Sequence, residues 1–312
     1  MFLTIAAVRL DSSPIPEPPR LDAVRADTLA DRYDANHRYI ADAARAARQL
    51  GDDGRAQRLA AFDAPGRQFL SFDARGDGQA VEVLGDLARA DHVVVMVPGS
   101  DTTLDTYDHF GAPWASLHGA AESLSAETRR LDPDGKVAVV AWFGYPAPRT
   151  LSTDIVTTSR AEDGGPRLRS LLGSVRKINP SAQVAMLCHS YGTAVCASAL
   201  SGTADRTRPN LKDVAFLGSP GVIVRSASDL RTSARVWAGR GAQDWIAGVP
   251  HTSVAAFGVT VGLGTDPTSY DFGARDFGAG AGGHSDYFKP GSAALRHLAL
   301  IGIGKDPKAA HV

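Results

Sequence analysis

The sequence predicts an α/β fold on a doubly wound, mostly parallel sheet, and three observations carry that prediction. Five short, Val-rich apolar runs lack the alternation of a half-exposed strand: His92–Val97, Val137–Trp142, Val184–Cys188, Val214–Leu217 and Arg235–Ala238. Segments of helical spacing lie between them, at Trp114–Leu131, Arg167–Ile178 and Tyr191–Leu200. Strand, crossover helix and strand repeated in this way wind a parallel sheet with helices on both faces. Composition allows it: of 312 residues 44% are hydrophobic and 21% charged, which suits a large core and excludes wholesale disorder.

Ahead of the sheet, residues 10–20 are rich in proline and read as an irregular lead-in. From Leu21 to Leu50 the apolar positions Val24, Leu29, Tyr33, Ile40, Ala44 and Ala47 recur at helical spacing, and Gly51 supplies a stop. A second short helix is expected over Arg55–Phe62. Residues 1–64 are therefore expected to pack, as a helical segment, on a main domain formed by 65–312. In that domain Gln68–Asp73 and Ala80–Leu84 flank the turn sequence Ala74–Gly78 and read as a hairpin. The last helix is expected in the Gly291–Gly302 segment.

Charge and cysteine content narrow the function. Lys+Arg total 33 against Asp+Glu 34, a net charge of −1 with no basic block, so no nucleic-acid partner is expected. The apolar run Phe2–Val8 has no positive charge before it and Arg9 ends it early, unlike a signal peptide. No uncharged apolar stretch reaches the ~18 residues of a membrane span, so no membrane association is expected and the cytoplasm is the expected location. Cys188 and Cys196 are too few for a disulfide framework, and no spacing suggests zinc. Cys196 reads as a small buried hydrophobe, and its pairing with Cys188 has no support in the sequence.

The strongest chemical signal is Cys188-His189-Ser190-Tyr191-Gly192, where an apolar strand ends and a helix begins. A serine between two small residues at a strand-to-helix turn is a nucleophile elbow: the turn is too tight for bulk on either side, and the hydroxyl projects off the sheet edge. Serine needs a base to take its proton and an acid to orient that base. Asp244 follows the strand Arg235–Ala238 in a loop at its carboxyl end. Asp229 lies at the opposite edge, and Asp266, Asp271 and Asp276 stand too near the expected base. Of the later histidines, His251 is too close to Asp244, His297 sits in a helix and His311 in the tail. His284, in a loop opened by glycines and closed by aromatics, is the expected base. His189 leaves the elbow in another direction and is expected to support the turn.

The oxyanion donors expected are the backbone N–H of Tyr191 and that of Ser100, in the loop Pro98–Thr103 after the first parallel strand, with Asp101 as second choice. Trp142, Phe143 and Tyr145 end a strand at the same edge and are expected to wall an apolar acyl or aryl pocket. The Thr-rich segment Arg149–Gly165 is expected to form a small lid.

These motifs, VMVPGSDTT, AWFGYPAP, CHSYG, GAQDW and GGHSDYF, resemble the α/β-hydrolase superfamily across roughly residues 65–302. The similarity is closest to an actinobacterial branch of serine hydrolases known as a domain of unknown function, whose members carry GHSYG at the elbow and HSDYF at the histidine. Cys188 stands where that branch has Gly, and Pro146 where it often has Asp. The helical N-terminal segment is also similar to what precedes the hydrolase domain there. The resemblance implies esterase-type chemistry on a small-molecule acyl substrate and names neither the substrate nor the oligomeric state.

Other signals are weaker. Gly278–Gly283 fits GxGxxG but follows no first strand, so no dinucleotide cofactor is expected. Asp101, Asp105, Asp108 and His109 lack calcium-loop spacing and read as caps, not as a metal site. The reading is a cofactor-free serine carboxylester hydrolase. Acyl transfer by the same triad, as in a biosynthetic thioesterase or cyclase, and a non-catalytic binding protein on the same scaffold are the alternatives.

Overall fold

The computed structural model describes residues 15–150, 157–201, 210–249, 254–256 and 259–308. The apolar run Phe2–Val8, His251, His311 and residues 151–156 of the expected lid lie outside them.

The apolar runs become strands that extend the predicted segments by a residue or more or match them: β3 (His92–Val97), β4 (Val137–Phe143), β5 (Gln183–His189), β6 (Asn210–Leu217) and β7 (Arg235–Gly239). With the hairpin β1 (Phe69–Asp73) and β2 (Gln79–Leu84) and a short β10 (Arg275–Asp276) they form one eight-stranded sheet, ordered β1-β2-β4-β3-β5-β6-β7-β10. β1, β2 and β4 pair antiparallel; every pair from β4 to β10 is parallel. A separate antiparallel pair joins β8 (Val254–Ala256) to β9 (Val259–Val261).

Strand alternation divides the core in two. Val93, Val95, Val97, Val140 and Trp142 face α4 (Ser159–Ile178) and α5 (Gly192–Ser201). Val94, Met96, Val139 and Leu187 face the layer made by α1 (Leu29–Gln49), α2 (Asp53–Phe62), α3 (Leu117–Leu131) and α6 (Ala293–Gly302). α1 is shorter than its apolar spacing suggests, because Arg25 is extended (φ −143°) and a 3-10 turn over Ala26–Thr28 precedes it. It ends at Gly51, whose φ of +79° is open to glycine without a Cβ penalty. Phe62 of α2 packs edge-on against Phe69 and Phe72 of β1, with ring centroids 6.0 and 5.0 Å away. No described helix is long and apolar enough to cross a membrane.

Two expectations are corrected. The segment Ser159–Gly165, expected in a lid, forms the first turns of α4. Gly164 and Gly165 let α4 close onto α5, since a Cβ on them would meet Val195 Cγ1 at 2.9 Å and Ser198 Oγ at 2.3 Å. A glycine pair expected at the end of a lid is here a packing requirement. Cys188 and Cys196 are joined in a disulfide that ties the end of β5 to α5, and both are fully buried. Their proximity comes from the turn that reverses strand into helix and is invisible in the linear spacing.

Cys196→Ser, which removes this short-range cross-link, should lower unfolding stability by about 2–3 kcal/mol. Urea unfolding of the oxidised parent and the variant checks it; coincident midpoints would show that the bond does not stabilise the fold.

Candidate active site

Ser190 sits at the end of β5 in the left-handed region, φ +53°, with its N–H held by the Leu217 carbonyl at 2.9 Å. Positive φ on a non-glycine residue is costly and is held here by its surroundings. Gly192 is needed because a Cβ there would meet the Pro98 and Val97 carbonyl oxygens at 2.5 and 2.7 Å. Gly99 is needed for the same reason: its Cβ would lie 2.5 Å from Ser190 Cβ and 3.0 Å from Oγ. The loop after β3 therefore lies directly against the serine.

The structure brings together three side chains distant in the chain. His284 Nε2 stands 3.0 Å from Ser190 Oγ, and Nδ1 stands 2.9 and 3.1 Å from the two carboxylate oxygens of Asp244. A carboxylate can only accept, so Nδ1 carries the proton and Nε2 is left to accept from the serine hydroxyl. Asp244 is 3% exposed. Burial pushes its carboxyl up, but hydrogen bonds from His284, Tyr287 and the Ile246 N–H outweigh that and hold it below the usual range. Tyr287 donates to Oδ2 at 2.6 Å and accepts from the Gly241 N–H at 3.1 Å. Burial and the neighbouring carboxylate push its phenol well up, so it remains a donor.

The glycine run also has its place. The N–H groups of Ala242 and Gln243 donate to the Gly280 and Gly282 carbonyls at 2.9 and 3.3 Å, which stitches the acid loop to the histidine loop. A Cβ on Gly241 would meet the Gly282 oxygen at 2.0 Å, so backbone approach, not phosphate binding, accounts for the glycines. His189 supports the arrangement by donating from Nε2 to the His284 carbonyl at 2.8 Å. Desolvation, and then the His284 charge, lower its pKa to about 3, so it stays neutral beside His284.

A cavity of about 210 Å³ opens over Ser190. Met96, Leu187, Leu117 and Phe288, all buried, line its deep side; Phe110 lines it from a loop, and Trp114 and Trp245 line it from short 3-10 turns. Trp142, Phe143 and Tyr145 do not line it, contrary to the sequence expectation. Trp142 and Tyr145 fall on the opposite face of the sheet, stacked with centroids 5.7 Å apart, and Phe143 is fully buried in the core under α1–α3. Tyr145 instead braces the loop after β3, donating to the Pro98 carbonyl at 2.8 Å. Ser100 lines the cavity, and its N–H makes no hydrogen bond among the described residues. Asp101, the second choice as donor, is spoken for: its N–H binds the Pro148 carbonyl at 2.9 Å and its carboxylate accepts from Thr150. Asp105 and Asp108 do not cap helices but pair with Arg55 and Arg67, at 2.7 and 2.8 Å.

The sequence reading missed Tyr287, Trp245 and the loop aromatics. Tyr287 had one signal, a hydroxyl three residues beyond the expected base; the others sit on a loop or on 3-10 turns too short to show periodicity.

The depressed His189 and Asp244 pKa values set an acid limb of stability. The unfolded chain binds a proton at His189 from about pH 6.5 downward, whereas the folded chain does so only near pH 3. Stability from this group is complete above that upper value and is lost as pH falls toward 3; the Asp244 contribution is lost lower, below the ordinary carboxylate pKa. His189→Gln should flatten the decline above about pH 4 and keep the steeper fall below it. Urea midpoints against pH read this, and an unchanged slope above pH 4 would contradict it.

The family model described as "Alpha/beta hydrolase" matches residues 73–254, which include Ser190 and Asp244 and stop short of His284. The uncharacterized protein Rv2079 of Mycobacterium tuberculosis is 30% identical over 256 residues, covering 73% of this chain and 37% of that protein. Another M. tuberculosis protein, Rv0963c, is 30% identical over 148 residues, 47% of this chain and 54% of its own. The chain thus spans little more than a third to about half of the length of these relatives. Among solved structures, esterase LipW from Mycobacterium marinum matches with a TM-score of 0.41 and 14% identity, over 93% of this chain and 99% of that one. Over more than half of its length the chain matches this model, and it belongs to the alpha/beta hydrolase family.

Proposed function

We propose that this hydrolase is a serine carboxylester hydrolase that works through an acyl-enzyme on Ser190. The observation that carries the reading is the continuous hydrogen-bonded line from Ser190 Oγ through both ring nitrogens of His284 to a buried, triply bonded Asp244.

On this reading His284 Nε2 takes the Ser190 proton as Oγ attacks the acyl carbon. Charge gathers on the carbonyl oxygen, which the Ser100 and Tyr191 N–H groups receive. Tyr191 directly follows the nucleophile and precedes α5, so it stands where a helix N-terminus favours negative charge. Asp244 keeps the imidazole in the required tautomer and stabilises its cation. Collapse of the intermediate breaks the bond to the leaving oxygen, which takes the proton from Nε2. Water, deprotonated by the same nitrogen, then releases the acid and restores Ser190. No step asks for a cofactor. The cavity lining includes no Lys or Arg among the described residues, so it has no cationic partner for a phosphate-bearing carrier and suits a neutral small ester better than a carrier-bound thioester.

The Cys188–Cys196 bond bears on where the chain acts. Cytosolic proteins keep such pairs reduced, and oxidising compartments preserve them. The cytoplasmic location expected from the sequence goes with free thiols. Because both sulfurs are buried, alkylation in denatured cell extract, without prior reduction, distinguishes the two.

Ser190→Ala should abolish hydrolysis of p-nitrophenyl esters with an unchanged melting temperature, and Asp244→Asn should lower kcat by about 10⁴-fold through the wrong tautomer. Turnover of the alanine variant near the parent rate would remove Ser190 as the nucleophile; an unaltered asparagine variant would remove Asp244 as the orienting acid.

A further inference from the structure

Trp245 follows Asp244 directly and is 60% exposed, unusual for a residue whose ring is normally mostly buried. Its backbone is not a frayed loop. The flanking Asp244 and Ile246 are each 3% exposed, and Asp244 Oδ1 and its carbonyl accept from the Ile246 and Ala247 N–H groups at 2.9 and 3.2 Å. A rigid turn therefore holds the indole out of the core and at the cavity, with its centroid 4.8 Å from that of His284.

That position has a chemical meaning, which rests on the hydrolase reading above. When the acyl–oxygen bond breaks, the proton taken from Ser190 passes from His284 Nε2 to the oxygen of the departing alcohol. That oxygen must lie within hydrogen-bond reach of Nε2, so the group attached to it lies beside the imidazole, where Trp245 stands. The deep side of the cavity is different in kind: Met96, Leu187 and Leu117 are aliphatic and buried. Among the described residues the lining carries one carboxylate, Asp101, already engaged by Thr150, and no Lys or Arg.

We propose that Trp245 is the specificity-determining residue for the alcohol side of the substrate, and that the preferred substrates are neutral esters whose alcohol carries an aromatic ring, stacked on the indole. The reaction remains a hydrolysis: ester and water give a carboxylic acid and an aromatic alcohol.

Benzyl acetate and cyclohexylmethyl acetate test this. They share an acyl group, a primary leaving oxygen and a six-membered ring, and the saturated ring is the more hydrophobic, so a merely greasy mouth would favour it. The parent should favour the benzyl ester in kcat/KM by about 3- to 10-fold, the range expected of an aromatic pair. Trp245→Leu should bring the ratio to one or below, and Trp245→Phe should retain most of it. The ratio is internal to each preparation and does not depend on the active fraction. A parent ratio at or below one, or a ratio unchanged in Trp245→Leu, would overturn the proposal while leaving the hydrolase reading intact. If the parent hydrolyses neither ester and a fluorophosphonate probe fails to label Ser190, the hydrolase reading itself falls and this inference with it.

Discussion

A buried carboxylate organises the site. Asp244 has almost no contact with water, and an ionised group there must find its partners in the protein. It finds them in the Ile246 N–H of its own turn, in the phenol of Tyr287 and in the imidazole of His284. The last two come from one loop, so satisfying the charge and placing the imidazole are the same event. With Nδ1 committed to Asp244, Nε2 faces Ser190 in the accepting tautomer. Remove the carboxylate, and the loop loses the interaction that sets its ring orientation.

The opposite side of the site is built from close approach. Gly99 and Gly192 let the loop after β3 press against Ser190 and against the first turn of α5, at distances no side chain would tolerate. Tyr145 and Asp101 hold that loop from beneath and from the side. The Cys188–Cys196 bond joins strand to helix across the elbow, and His189 ties the elbow to the loop that carries His284. Ser190 and His284 are thus referred to one rigid element, the end of β5, which suits the proposed reaction and its sensitivity to sub-ångström placement.

What was legible in the sequence follows from how each feature is encoded. The strands β3 to β7 are buried on both faces, so their apolar runs are continuous and hard to mistake. Ser190, Asp244 and His284 could be named because each lies just beyond a readable element or a glycine-rich approach. The pocket walls could not. Trp142 and Phe143 alternate across β4, and which face meets the cavity depends on where the helices settle. Phe110 stands on a loop and Trp245 on a four-residue 3-10 turn, both too short to show a period. The sequence starts the helix at Arg167 and not at Ser159 because the element that requires the two glycines, α5, lies about 30 residues further along the chain. Cys188 and Cys196 are neighbours only after the elbow has turned.

The central claim is that the Ser190 hydroxyl becomes covalently acylated, with His284 and Asp244 making it reactive. Rapid acid quench during turnover of a p-nitrophenyl ester, followed by peptide mass analysis, tests it most directly. The account predicts one acyl adduct, on the peptide bearing Ser190 and on that side chain, absent when His284 is replaced. An adduct on another residue, or steady turnover with no adduct accumulating even when deacylation is slowed by a bulky acyl group, would contradict it.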